Sequence, residues 1–323
     1  MKTRTIKTIL RKKIDGWLAT IDDEAVRNLA ADNVIVTGGA IASMLLREKV
    51  NDFDVYFRSY QALFAVAKYY VGRFERKNQT GIPTDIFLAD SDGTPLTDNT
   101  VPADGRLKII VKSAGVASEK GTDKPYQYFE AEAPDSAGAY VADVFDQEPD
   151  GTVEKVEEIA NAINSDAKPS YRPVFLSTNA ITLSQGVQLV LRFWGEPDVI
   201  HQNYDFAHCT NYWTSWDGNL ELRTDALTAL LTKELRYIGS RYPVCSVIRL
   251  RKFIGRGYTI NAGQIVKIAM QISDLNLHDP KVLEDQLTGV DVAYMGQLLR
   301  AIESADPEKL TTAYIIELID RMF

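Results

Sequence analysis

The chain has 323 residues, 45% of them hydrophobic and 25% charged, with a net charge of −8. That length can bury a large core and suits two domains, and the acidity excludes a protein whose whole surface tracks nucleic acid; any such contact is confined to a local basic patch. Cys209, Cys245, His201, His208 and His278 offer neither a zinc spacing nor a disulfide framework, and no apolar run is long enough to span a bilayer, so a cytoplasmic setting fits.

Met1 to Thr20 carries six Lys or Arg against one Asp. Its apolar residues Ile6, Ile9, Leu10, Ile14, Trp17, Leu18 and Ile21 recur at helical spacing, so the segment is a permanent amphipathic helix over about 7–21 with a basic, solvated face, not a targeting peptide. A second helix is expected at 23–31. The β-branched run Val34 to Thr37 predicts a strand, the pair Gly38 and Gly39 a turn, Ala40 to Lys49 a helix, and the stretch carrying Asp52 and Asp54 a second strand.

Alternation along that second strand puts Asp52, Asp54 and Tyr56 on one face and Phe53, Val55 and Phe57 on the other, towards a core. Two carboxylates about 7 Å apart along a strand repel each other unless a cation sits between them, and Mg²⁺ is the hard ion that suits such oxygens. Glycines ahead of a helix N-terminus let backbone approach an anion closely. The same residues also suit a plain Gly turn between two strands with a solvated acidic edge.

The Gly38-Gly39 pair followed by Asp52-Phe53-Asp54-Val55 resembles the signature of the DNA polymerase β-like nucleotidyltransferase superfamily, which includes CCA-adding enzymes and poly(A) polymerases. The resemblance implies an α+β fold: a mixed sheet with helices, a long insertion and a C-terminal helical domain. The expected divisions are N-terminal helices at 1–32, a catalytic domain at 33–224 with its insertion at about 89–172, and a helical domain at 225–323. It also implies transfer of a nucleoside monophosphate from an NTP, ATP or CTP, to an acceptor hydroxyl such as an RNA or tRNA 3′ end, by two ions of Mg²⁺ or Mn²⁺.

Ser59 suits the N-cap of a helix running from Tyr60 to about Arg76, and 81–88 suits a strand. Asp, Gly, Thr, Pro and Ser then dominate up to about Ser170, with strands expected at 107–112, 126–131 and 140–145 and a helix at 153–164. Strands follow at 174–177, 180–183 and 187–193, then a short helix with Pro197 in its first turn, then a strand at Tyr204 to Cys209. That last run resembles the third-carboxylate segment of nucleotidyltransferase-like proteins of phages and large DNA viruses. The resemblance implies Asp205 as the third metal ligand beside Asp52 and Asp54, with Asp85 and Asp143 outside the cluster.

A strand at Leu220 to Leu222 precedes helices at about 225–240, 243–254, 261–273, 279–286 and 290–321, with Thr224 as an N-cap. Arg249, Arg251, Lys252 and Arg256 concentrate cations on one of them; the resemblance implies contacts from Arg249 and Lys252 to a triphosphate, while a solvated amphipathic helix is the plainer alternative. His201 and His208 suit core or surface positions. A second functional class is a non-catalytic nucleotide- or RNA-binding module, and a third is a protein-nucleotidylating enzyme.

Overall fold

The computed structural model describes residues 1–77, 84–89, 95–96, 108–113, 171–176, 180–279, 282–283, 286, 311–314 and 316–317. The expected elements at 126–131, 140–145 and 153–164, Asp143 among them, lie outside the described residues, as does all of 287–310. The chain divides into two units, one of Met1–Ile200 with Asn211–Leu222 and one of His201–Thr210 with Arg223–Phe323. Residues 201–210 therefore belong with the C-terminal helices, and the two N-terminal helices belong with the sheet.

The first unit is mixed α+β. It opens with α1 (Thr3–Leu18) and α2 (Glu24–Ala31), whose N-cap Asp23 accepts a hydrogen bond from the Val26 amide at 3.1 Å. β1 (Val34–Thr37), α3 (Gly39–Leu46), β2 (Phe53–Phe57) and α4 (Tyr60–Lys77) follow, with Ser59 capping α4 through the Ala62 amide at 3.2 Å. β3 (Thr84–Ala89) and β4 (Lys108–Ser113) form a separate antiparallel ladder. Then come β5 (Pro173–Leu176), β6 (Ala180–Leu183), β7 (Val187–Trp194), α5 (Pro197–His201), β8 (Tyr212–Thr214) and β9 (Leu220–Glu221).

Among the described residues, seven strands make one sheet in the order β5-β6-β7-β2-β1-β8-β9. It is mixed: β2 and β7 run parallel, and the other neighbours are antiparallel. Period-two alternation sends Val34, Val36, Phe53, Val55, Phe57, Leu189 and Leu191 to one face, where Ile6, Leu10, Ile14 and Trp17 of α1 and Leu63, Val66 and Tyr70 of α4 cover them. Fully burying one such side chain contributes about 1.5–3 kcal/mol, so this layer is what holds the sheet. The indole of Trp17 donates to the Tyr70 hydroxyl at 2.8 Å, so the Trp17 N–H is paired inside this core.

The second unit contains α6 (Thr224–Thr232), α7 (Pro243–Gly255) and α8 (Ala262–Ser273), with Phe206, Leu235, Tyr237, Tyr258 and Ile268 as its core. The helix expected over 225–240 stops at Thr232, where Lys233 takes φ 51°, and the following residues run extended to bridge Glu234 with Thr259 and Tyr237 with Phe206. Thr224 is the first helical residue, and its predecessor Arg223 occupies the cap.

The strand expected at 204–209 is absent. Asp205 lies at a bend, Phe206 makes one isolated bridge, and Ala207–Cys209 form a 3-10 turn. Tyr212–Thr214, three residues further on, is the strand that pairs with β1.

Candidate functional site

The end of β1 and the start of β2 are brought together by register. Thr37 pairs with Asp54, so the Gly38-Gly39 turn leaves the sheet beside Asp54 and next to Asp52. Gly38 has φ 90° and ψ −147°, a backbone that residues with a Cβ seldom adopt, and it caps α3 with no side chain in the way. A Cβ added to Gly39 would meet nothing within 4 Å, so the space before the helix N-terminus is open.

The same register runs across the sheet. Thr182 pairs with Gln188, Gln188 with Asp54, Asp54 with Thr37, Thr37 with Tyr212, and Tyr212 with Glu221. Paired residues share a face, so six polar side chains from six adjacent strands lie in one transverse row, about 24 Å long at the usual strand spacing. The row stands on the face opposite Phe53, Val55 and Phe57. Thr182, Gln188, Asp54 and Tyr212 are half-buried, and Glu221 and neighbouring Asp52 are exposed. Thr37 is buried, and its hydroxyl donates to the Asn211 carbonyl at 2.9 Å. Such a ledge presents mostly acceptors: three carboxylates, the hydroxyls of Thr182 and Tyr212, and a carboxamide.

Behind this row lies a group expected on the solvated basic face of α1. Lys13 is buried, its ammonium donates to the Gln185 carbonyl, and it lies 5.2 Å from the centre of the Phe53 ring and 5.5 Å from that of Tyr171. Burial lowers its pKa to about 8. Gln185 and Gly186 take φ 71° and 65°, and the Gly186 carbonyl accepts from the Phe53 amide at 2.7 Å. A Cβ on Gly186 would come within 3.1 Å of the Asn51 carbonyl. Lys13 thus holds the turn that holds Asn51 to Phe53, and with it Asp52. The signal was present in the spacing, since position 13 continues the stripe of Ile6, Leu10 and Trp17.

Asp205 has its partners inside the second unit. It is buried, one carboxylate oxygen accepts from the Arg249 guanidinium at 2.7 Å, and the other accepts from the Ser240 hydroxyl at 3.2 Å. Two residues expected to serve a metal and a triphosphate, Asp205 and Arg249, are therefore an ion pair. Lys252, with Arg251 and Arg256, is exposed on or just after α7. Among the described residues no three His, Cys, Asp or Glu side chains gather as a metal site needs. Of the carboxylates proposed for Mg²⁺ or Mn²⁺, the sheet supplies the Asp52 and Asp54 pair alone.

Asp85 lies on the separate β3–β4 ladder, opposite Lys112. His208 is enclosed by Phe206, Phe253 and Tyr258, with ring centres 4.5 Å from Phe253 and 4.9 Å from Tyr258. Burial, reinforced by Arg256 and Lys233, lowers its pKa to about 4, so it is neutral at pH 7. His201 is buried with its ring 4.9 Å from that of Tyr204. Among the described residues no helix is long and apolar enough to cross a membrane.

Comparison with known proteins matches residues 8–233 to a family described as Gabija anti-defense 2 family protein. Among curated proteins, Gabija anti-defense 2 of Bacillus phage SPbetaL7 is 23% identical over 100 residues, which are 31% of this chain and 25% of that protein. The matched stretch thus spans about a quarter of that relative. No solved structure matches. These matches correct the assignment to the nucleotidyltransferase superfamily, because the family covering the Gly38-Gly39 turn and the Asp52 and Asp54 strand is an anti-defense family. The nucleotidyl-transfer reaction and the ATP-binding and metal-binding descriptions that followed from the resemblance are withdrawn with it. The physical reason is that a strand, a glycine turn, a helix and an acidic strand form a local unit that different proteins can share.

Proposed function

Because the chain belongs to the Gabija anti-defense 2 family, we propose that it counteracts the Gabija defense of a phage's bacterial host, acting in the host cytoplasm through the polar face of its seven-stranded sheet. The observation that carries this reading is the extent of the family match, residues 8–233, which takes in every strand of that sheet. The face offers what recognition of a protein target needs: a continuous row of hydrogen-bonding side chains, half open to solvent, on a rigid scaffold backed by the main core. With Asp52, Asp54 and Glu221 in or beside the row, the complementary surface is one rich in donors, such as Lys, Arg and backbone amides.

The test is a plaque assay on paired bacterial strains with and without a Gabija system, each expressing the chain or an empty vector, infected with a phage that Gabija restricts. Restored plating on the Gabija strain alone is the expected result. Equal restriction with and without the chain, at verified expression, would sink the proposal.

A further inference from the structure

The second unit carries a surface that the family match does not reach. Residues 243–273, which contain α7, α8 and their link, hold Arg249, Arg251, Lys252, Arg256 and Lys267 and no Asp or Glu, in a chain whose net charge is −8. Arg249 is paired with Asp205, and the other four cations are exposed. Local charge and overall charge are opposite in sign.

Exposed apolar side chains accompany these cations. On α7, Val247 and Ile254 flank Arg251 at i, i+4 and i+7, a single stripe turned away from buried Cys245 and Ser246. On α8, Ile268 is the one fully buried residue, while Ile265, Val266 and Met270 are 48%, 57% and 63% exposed. A helix needs one apolar stripe to hold it to its core. α8 has that stripe in Ile268 and Ile272 and carries a second one in water.

We propose that α7 and α8 form a docking surface for a protein partner whose own contact surface is acidic around an apolar centre. Charge complementarity selects this occupant. A second copy presenting the same surface would set these cations against their like. A nucleic acid would engage the cations through phosphates and leave Ile265, Val266 and Met270 in water. A membrane surface favours exposed Trp and Phe, whereas Phe253 and Tyr258 turn into the unit's own core.

The test uses the full chain and four fluorescent probes: a helical peptide of three heptads with Leu on one face and Glu on the other, the same peptide with Lys for Glu, phosphatidylglycerol vesicles and a short DNA duplex. Two variants accompany the parent, Arg251→Glu/Lys252→Glu/Arg256→Glu and Val266→Ser/Met270→Ser; all five positions are exposed, and thermal melts check that each variant is folded. The expected result is binding of the acidic peptide at least about tenfold tighter than the basic one, weakened by salt and lost about tenfold or more in both variants. Equal binding of the two peptides, no binding of the acidic one, or capture of vesicles or DNA in its place overturns the proposal, as does unchanged affinity in either folded variant. Because the probes are synthetic, a failed plaque assay and a failed docking surface are separate outcomes.

Discussion

Lys13→Met isolates the energetic role of the buried lysine behind the polar row. Burial moves the ammonium from its ordinary 10.5 to about 8, a displacement worth about 3 kcal/mol. The sign follows from proton binding. The unfolded chain holds this proton more tightly than the folded one, so protonated Lys13 opposes folding at full strength below about pH 8, and the cost fades as pH rises towards 10.5. Between pH 7 and pH 9.5 about 2 kcal/mol of it disappears. The Phe53 and Tyr171 rings and the Gln185 carbonyl favour the charged form and offset part of the cost at neutral pH. Methionine keeps the length and the packing but cannot titrate. Urea unfolding of parent and variant at several pH values, followed by intrinsic tryptophan fluorescence, measures the difference. The stability of the parent minus that of the variant should rise by about 2 kcal/mol from pH 7 to 9.5. Parallel pH profiles for the two proteins would refute the reasoning.

Asp205→Asn should lower stability by about 2–3 kcal/mol by leaving Arg249 without its charge partner; the half-exposed arginine keeps the loss below that of a fully buried pair, and a loss under about 0.5 kcal/mol in urea titration would dismiss the pair as a structural tie. Gly38→Ala should cost about 1–3 kcal/mol because of its φ of 90°, whereas Gly39→Ala, whose Cβ meets open space, should stay within about 1 kcal/mol of the parent. Similar melting temperatures for the two variants would contradict that backbone. His208→Phe should flatten the acid limb of stability: the parent histidine, held neutral down to about pH 4, forfeits about 3 kcal/mol between pH 7 and pH 4 as the unfolded state takes up the proton, and the variant does not. Identical acid unfolding midpoints would be the failing result.

What was legible in the chain was local. Val34 to Thr37 and the alternating Phe53, Val55 and Phe57 are strands because β-branched and aromatic residues suit a half-buried pleat, and the Gly pair between them leaves few other conformations. The polar row was legible only in Asp54, since Thr182, Gln188 and Tyr212 join it through a parallel crossover and registers that no local pattern encodes. The alternation of Tyr204, Phe206 and His208 imitates a strand, but Phe206 and His208 fill an aromatic cluster while Asp205 turns to Arg249. Lys233 to Tyr237 looked helical because propensity is nearly flat there; tertiary pairing with Thr259 and Phe206 decides it instead. Lys13 follows its position on the apolar stripe of Ile6, Leu10 and Trp17, against the exposure that its charge alone would suggest.

The role proposed for the polar face of the sheet is tested most directly by the plaque assay with Asp52→Asn/Asp54→Asn. Both positions are open to solvent at least in part, and the substitution keeps shape while removing charge, so the melting temperature should match the parent. The account predicts that this folded variant loses at least about tenfold of the parent's ability to restore plating on a Gabija strain, as removal of charged contacts from an interface centre does. Full restoration by the variant at equal expression would contradict it and move the role to another surface.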